Sequence, residues 1–269
     1  MKKNEVVLVA VDPIRQYHPA LERVIISARL SETKPSLHLF IAVDTSSNYQ
    51  DSSSINMYSS LQSINDLVAS VEAEGLTCQT ELYWGGDWQQ GMLDTAKHIK
   101  ADLIVMTNHS VIERNIFLSD SKWMLLRRAK RPVMLVRAAA SDQRQVVLAA
   151  VNIQAEDDAY QALNARIIDS GRRMVAQYNA ELHVVNAYPD SMNYPDRGKL
   201  IMLTQCDSAN VHIKAGPPEQ VVAEVAKDIS ADVVVMGTLA RKGLIENIRG
   251  NTSERVLNSL ALHDVLTIN

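Results

Sequence analysis

The sequence predicts an α/β protein of two tandem units, each a doubly wound, five-stranded parallel sheet flanked by helices. Two observations carry this prediction. Four segments of the first half recur in the same order in the second half, which indicates a repeat of roughly 130 residues. Short runs rich in Val, Ile and Leu alternate with stretches of helical periodicity, as in parallel sheets that are buried on both faces.

The repeat pairs four segments of one half with four of the other. The pairs are VVLVAVD (6–12) with VVLAAVN (146–152), LHLFIAV (37–43) with LHVVNAY (182–188), AKHIKADLIVMTN (96–108) with AKDISADVVVMGT (226–238), and RPVMLV (131–136) with HDVLTI (263–268). We therefore predict a first unit over residues 1–137, a small and polar linker over 138–145, and a second unit over 146–269.

Within the first unit, strands and helices are predicted to alternate. The predicted strands are VVLVAV, LHLFIAV, CQTELYW, DLIVM and PVMLV. PALERVIISARLS and DWQQGMLDTAKHIKA carry apolar residues at three- and four-residue intervals, which predicts helices. Asp87 is placed to cap the second of these helices, and Pro217 and Pro218 suit a first helical turn in the second unit.

The units differ between their second and third strands. The first has a Ser- and Asn-rich stretch at 44–75 that is predicted to become helical from about Met57. The second has only PDSMNYPDRGKLIMLTQCDSAN at 189–210, which is too short for the same loop and a full helix. We therefore expect a lost helix or a flap, and a more open second unit.

Ligands of doubly wound sheets lie outside the carboxyl ends of the strands, which we call the rim. This rule selects a small set of candidate ligand contacts in each half. They are Asp12, Val43, Met106 and His109 in the first unit, and Asn152 and Met236 in the second.

Composition excludes several classes of protein. A formal net charge of -4 and a pI near 6.0 argue against a protein that coats nucleic acid or an anionic membrane. We find no secretory signal and no apolar stretch near the roughly 20 residues that span a bilayer. Cys78 and Cys206 form no Cys-x-x-Cys motif and are predicted free thiols. The expectation is a cytoplasmic protein.

The segment ADVVVMGT, the glycine-spaced loop ending in GNTSERVL and the final short strand resemble the universal stress protein family, in its tandem two-domain form. The resemblance covers nearly the whole chain. It implies a stress-response protein whose two Rossmann-like units pack face to face through their last strands as an intramolecular pseudo-dimer, with a further homodimer left open. Nucleotide-binding members carry the pattern G-x-x-G-x9-G-[S/T], and a strand-end Asp near the adenine and ribose.

This chain matches the family's nucleotide pattern in part. Gly237 and Gly250 have the required spacing, but Ala240 replaces the middle glycine and Asn251 replaces the Ser/Thr. A Cβ at position 240 restricts the backbone where it would approach a phosphate. Thr252 follows as a further candidate contact.

The two halves have lost different parts of the pattern. The first half has Thr107, Ser110, Leu118 and Ser119 at the cradle positions, whereas the strand-end Asp is kept as Asp12 and becomes Asn in the second half. Neither unit therefore holds the whole site. A competing interpretation of the second-half loop is a capping box, in which Asn251 and Glu254 satisfy the helix's own N–H groups.

No Ser-His-Asp arrangement, activated cysteine or paired carboxylates come together, so neither a catalytic residue nor a metal site is predicted. His38 and His183 occupy matching strand positions, and we expect packed, hydrogen-bonded histidines there instead of metal ligands.

Three hypotheses remain. The leading one is a non-enzymatic stress-response protein that binds a small ligand at the rim, either ATP or AMP in a degenerate site or an apolar metabolite. The second is an ATP- or AMP-binding switch or weak ATPase. The third is a ligand-free scaffold for a protein partner that the sequence does not identify.

Overall fold

The computed structural model describes residues 4–13, 15–43, 53–108, 120–137, 143–155, 157–238, 252–260 and 263–269. The first half contains β1 (Val6–Ala10), α1 (Pro19–Arg29), β2 (Ser36–Val43), α2 (Ser53–Ala73), β3 (Thr77–Trp84), α3 (Trp88–His98), β4 (Leu103–Asn108), α4 (Asp120–Arg128) and β5 (Val133–Arg137). The second half contains β6 (Val146–Ala150), α5 (Asp158–Tyr178), β7 (Glu181–Tyr188), α6 (Arg197–Thr204), β8 (Val211–Ala215), α7 (Pro218–Asp228), β9 (Val233–Gly237), α8 (Thr252–Ser259) and β10 (Asp264–Ile268).

The ten strands form one sheet in the order β3-β2-β1-β4-β5-β10-β9-β6-β7-β8. Within each half every pairing is parallel, and β5 pairs with β10 in antiparallel fashion through Val265 and Leu135. The last strands of the two halves therefore do meet, but edge to edge within one sheet and not face to face. The strands of the two halves run in opposite directions, so their rims lie at opposite ends of the sheet.

Helices cover both faces of the sheet and create two core layers. Alternate residues of β1, such as Val7 and Leu8, enter different layers because strand side chains alternate between faces. The first layer packs against α1, α2 and α5, and the second packs against α3, α4, α7 and α8. Each layer contains buried residues from both halves, so the core is continuous across the β5–β10 junction.

Local signals explain several element boundaries. The Asp87 carboxylate accepts a hydrogen bond of 3.0 Å from the Gln90 N–H, which confirms the predicted cap of α3. Helix α7 begins at Pro218, as its proline pair predicts. Helix α2 begins at Ser53, before the predicted start at Met57. In the second half its place is taken by α6, a helix of only 8 residues.

Candidate functional site

A cavity of about 320 Å³ opens at the rim of the first half; we call it the rim cavity. It lies where β1, β2 and β4 end and α3 begins. Six of its lining residues define its chemistry: Asp12, His18, Phe40, Trp88, Met92 and Met106. Phe40 and Met92 are 1% and 0% exposed, so they form a fixed apolar floor, while Trp88 is half-buried as the first residue of α3.

Polar residues, among them Asp12, Arg15 and His18, also line the rim cavity. The Asp12 carboxylate accepts a hydrogen bond of 3.3 Å from Arg15 Nε, and both side chains are about half exposed. Burial lowers the pKa of His18, and the Asp12 charge acts in the opposite direction. At neutral pH His18 therefore presents a neutral imidazole to the rim cavity.

In the second half, side-chain amides occupy the corresponding region. Asn164 Oδ1 accepts from the Asn152 N–H at 3.1 Å, and Asn164 Nδ2 donates to the Asn152 carbonyl at 2.8 Å. Asn186 is fully buried; its Oδ1 accepts from the Ile153 N–H, and its Nδ2 donates to Gln154 Oε1 at 2.7 Å. The backbone groups just beyond β6 are thus satisfied by the protein itself.

Gly237 ends β9 and contacts helix α5. A Cβ at this position would lie 2.4 Å from Leu163 Cδ2 and 3.2 Å from Ile167 Cδ1. Ser253 Oγ, in the first turn of α8, donates to the Gly237 carbonyl at 3.1 Å. The close packing of α5 accounts for this glycine without any ligand.

The structure brings some of the predicted rim residues together. Asp12 and Met106 line the rim cavity, and Val43 ends β2. Four of the predicted residues lie outside the described residues: His109, Ala240, Gly250 and Asn251. In the second half Met236 is buried in the core, and Thr252 is exposed at the start of α8.

Sequence reasoning missed His18, Phe40 and Met92 as lining residues. In the sequence, Phe40 and Met92 occupy ordinary core positions of a strand and a helix. A local pattern predicts that such residues are buried, but it does not show which of them border a cavity. His18 precedes the proline that opens α1, and only the fold brings it to the end of β1.

The matching strand histidines are packed and hydrogen-bonded. His38 Nδ1 lies 2.8 Å from Glu81 Oε1. His183 Nδ1 lies 3.0 Å from His212 Nε2, with the two rings stacked at a centroid distance of 5.3 Å. Across the described ranges, no group of three or more His, Cys, Asp or Glu side chains is placed to hold a metal ion. Among the described helices, none has both the length and the apolar character needed to cross a bilayer.

The fold and the rim define a tandem protein of the universal stress type. The sequence matches the Universal stress protein family over residues 3–137 and 207–267, and the chain belongs to that family.

Relatives and solved structures agree with this assignment. Universal stress protein E of Photorhabdus laumondii is 25% identical over 302 aligned positions, which cover 100% of this chain and 96% of that protein. The Universal stress protein E homolog of Haemophilus influenzae is 26% identical over 207 residues, or 68% of this chain and 67% of that protein. A crystal structure described as a universal stress protein from Pseudomonas aeruginosa UCBPP-PA14 has a TM-score of 0.81 and 26% identity, and the match covers 98% of this chain and 93% of that one.

Proposed function

We propose that this protein is a non-enzymatic, cytoplasmic stress-response protein that binds a small ligand in the rim cavity of its first half. The observation that carries the proposal is the cavity itself, whose lining combines the Asp12 side chain with buried apolar side chains. Few convergent polar groups over an apolar surface are typical of small-molecule sites.

The lining residues favour a compact ligand with a flat or apolar body. Phe40, Met92 and Met106 offer apolar surface, and Trp88 offers a ring for stacking. Asp12 accepts hydrogen bonds from hydroxyl groups. The volume of about 320 Å³ lies near the lower end of the range of ligand pockets, roughly 300–1,000 Å³. A nucleoside or a compact apolar metabolite fits this volume better than a whole nucleoside triphosphate.

The proposal places binding in the first half because of the state of the two rims. The rim of the first half retains the strand-end carboxylate beside a cavity. At the rim of the second half, the side-chain amides of Asn164 and Asn186 already form hydrogen bonds with the backbone just beyond β6. A ligand in the second half would have to displace hydrogen bonds that the protein makes internally, which lowers its net gain.

The test is calorimetric titration with adenosine, AMP, MgATP and indole as an apolar ring probe. We expect adenosine or indole to bind, and Ala42→Trp to abolish that binding because Ala42 lines the rim cavity. The repeat supplies a matched control: Ala187 occupies the position of Ala42 in LHVVNAY, and Ala187→Trp should leave binding unchanged.

Three outcomes would count against the proposal. Binding that is lost in Ala187→Trp and kept in Ala42→Trp would place the site in the second half. MgATP binding with release of phosphate would favour the nucleotide switch or weak ATPase. An absence of binding by every probe, at concentrations up to about 1 mM, would leave the scaffold hypothesis.

A further inference from the structure

The two outer strands of the ten-stranded sheet differ in length and in composition. One edge is β3, with 8 residues, and the other is β8, with 5. An edge strand presents backbone N–H and C=O groups that can pair with another strand, and proteins commonly block such pairing with Lys, with Pro or with a short strand. In this sheet β8 carries protection of this kind and β3 does not.

The protection of β8 comes from a side chain as well as from its short length. The Gly216 N–H donates to the Tyr188 carbonyl of β7, so Val211, an odd number of residues earlier, directs its backbone groups away from β7. The Val211 carbonyl accepts a hydrogen bond of 3.1 Å from Arg197 Nη1. Lys214 adds a charge to the same strand. The β8 edge is therefore a poor template for a further strand.

The backbone of β3 faces outwards at alternate residues. The Val11 N–H donates to the Phe40 carbonyl, so Phe40 faces β1 and the odd-numbered residues of β2 face β3. With Leu37 opposite Cys78, parallel pairing directs the odd-numbered residues of β3 towards β2. Among the residues that the structure describes, no strand other than β2 pairs with β3. The residues that direct their backbone groups outwards are Cys78, Thr80, Leu82 and Trp84.

The side chains of β3 do not protect this edge. The strand, TCQTELYW, contains no Lys, Arg or Pro, and its Thr, Tyr and Trp residues favour strand structure. Leu82 and Trp84 are 46% and 61% exposed. The charged residue of the strand, Glu81, is engaged by β2, because its Oε1 lies 2.8 Å from His38 Nδ1. The β3 edge is therefore long, weakly charged and partly apolar.

We propose that β3 is an interaction surface through which two copies of this chain associate, by antiparallel pairing of β3 with β3 of the second copy. The register that pairs every outward-facing residue places Cys78 opposite Trp84 and Thr80 opposite Leu82. This register is symmetric about Glu81, so one two-fold axis generates the whole contact.

The fold favours a second copy as the occupant of this edge. The two halves of the chain already join by antiparallel edge pairing, with Val265 of β10 opposite Leu135 of β5. The outward-facing residues of β3 are self-complementary under a two-fold axis, which is the commonest symmetry of homo-oligomers. Because β8 is protected at the other end of the described sheet, association ends at two copies instead of continuing into a filament.

The expected dimer is weak. A strand of 8 residues is about 26 Å long, and a contact built on one such strand from each copy is smaller than the interfaces of stable complexes. Glu81 also stands opposite its own copy at the axis, and like charges on neighbouring strands oppose pairing. We therefore expect a dissociation constant of about 1–100 μM.

The first test is sedimentation velocity of the full chain across this range of concentrations. Thr80→Pro removes an outward N–H without removing a hydrogen bond to β2, and Leu82→Lys adds a charge to the edge. Each should weaken the dimer by at least about tenfold, and Leu82→Lys serves as the test even if the proline variant fails to fold. The matched control is Met202→Lys, since Met202 is 69% exposed on α6 and its replacement should leave the dimer unchanged.

Hydrogen exchange distinguishes the β3 edge from any other contact between copies. We expect the amides of Thr80 and Leu82 to gain protection as the concentration rises through the dissociation constant. The amides of Gln79 and Glu81 face β2 and should be protected at every concentration. The amide of Ile213, which faces outwards on β8, should exchange at a rate that does not depend on concentration.

The charge at the axis provides a variant that should strengthen the contact. Glu81→Gln removes the like charges and should tighten the dimer by up to about fivefold. A chain that stays monomeric up to about 300 μM would overturn the proposal. So would a dimer that survives both Thr80→Pro and Leu82→Lys, or exchange at Thr80 that is independent of concentration, whatever the rim cavity binds.

Discussion

Asp264 is a buried carboxylate at the junction between the halves. It is buried at the start of β10 and bridges Arg23 of α1 to Arg144 of the segment before β6. Asp264→Asn should lower the free energy of unfolding by about 3 kcal/mol or more, because two buried guanidinium groups then lose the carboxylate that they share. Urea denaturation measures this change.

The matched control for Asp264 is an exposed ion pair. Asp169 and Arg173 stand one helical turn apart in α5 at 2.9 Å, with both side chains largely exposed. Asp169→Asn should change the free energy of unfolding by less than about 0.5 kcal/mol, since exposed pairs are weak. Equal effects of the two substitutions would show that the Asp264 cluster is not a buried ionic contact.

Substitution of Gly237, which matches a glycine of the family's nucleotide pattern, tests whether this glycine is needed for packing or for ligand binding. Gly237→Ala places a Cβ 2.4 Å from Leu163 Cδ2, so we expect a loss of about 1–3 kcal/mol of stability from overpacking. The control is Gly86→Ala, where nothing lies within 4 Å of the added Cβ and the expected change is about 0.5 kcal/mol or less. A Gly237→Ala protein of unchanged stability would contradict the packing explanation.

Single residues were the hardest scale to predict from sequence. Asp12 and Met106 were found because parallel strands place their carboxyl ends at one edge. Arg144 falls within the predicted polar linker, and Asp264 begins a short strand, where a charged residue is usually solvent-exposed. Their burial depends on contacts across 120 residues of sequence, which no local pattern contains.

At the scale of elements, the β7–β8 pair contains a pH-sensitive contact. Burial and the neighbouring His183 lower the pKa of His212 below its ordinary value of 6.5. The folded state then binds a proton more weakly than the unfolded state does. This contribution to stability is complete above pH 6.5 and is lost as the pH falls towards and through the lower, folded-state pKa.

The corresponding prediction is a smaller pH dependence in His212→Gln. We expect the free energy of unfolding to fall between about pH 7.5 and pH 5.5 in the parent protein, and to fall less in this variant. His98→Gln is the control, because His98 is an exposed residue at the end of α3 and should keep the parent profile. Identical profiles for all three proteins would contradict the proposed role of His212.

Elements were predicted well where their signals are local. Every described strand of the first half falls on a predicted strand, and the Asp87 cap and the proline at the start of α7 are both observed. The pairing of His183 with His212 was not predicted, because 29 residues separate them and the register of β7 with β8 decides which side chains are neighbours.

At the scale of the whole molecule, the continuous sheet and shared core layers predict cooperative unfolding. The three tryptophans, Trp84, Trp88 and Trp123, all belong to the first half, whereas far-ultraviolet circular dichroism reports on both halves. We expect the two signals to give coincident transitions in urea, since each core layer includes residues of both halves. A tryptophan transition displaced from the dichroism transition would show that the halves unfold separately.

The repeat made the architecture of each half predictable. The strand and helix patterns of one half are weak alone, but the same patterns recur in the same order in the other half and support the same assignment. The way in which the halves meet was implied only by the family resemblance, and its edge-to-edge form needed the structure. Apolar periodicity shows which faces are buried, but it does not show which strand edges pair.

Covalent joining of the halves has an evolutionary consequence. In a homodimer of identical chains, each substitution appears on both sides of the two-fold axis, so a charge placed near the axis meets its own copy. Here Pro132 occupies the position in the first half that Asp264 occupies in the second, and proline has no carboxylate to offer. The ion cluster is therefore one-sided. Because its two halves are repeats joined in one chain, this protein can carry different residues at corresponding positions on the two sides of the axis that relates the halves.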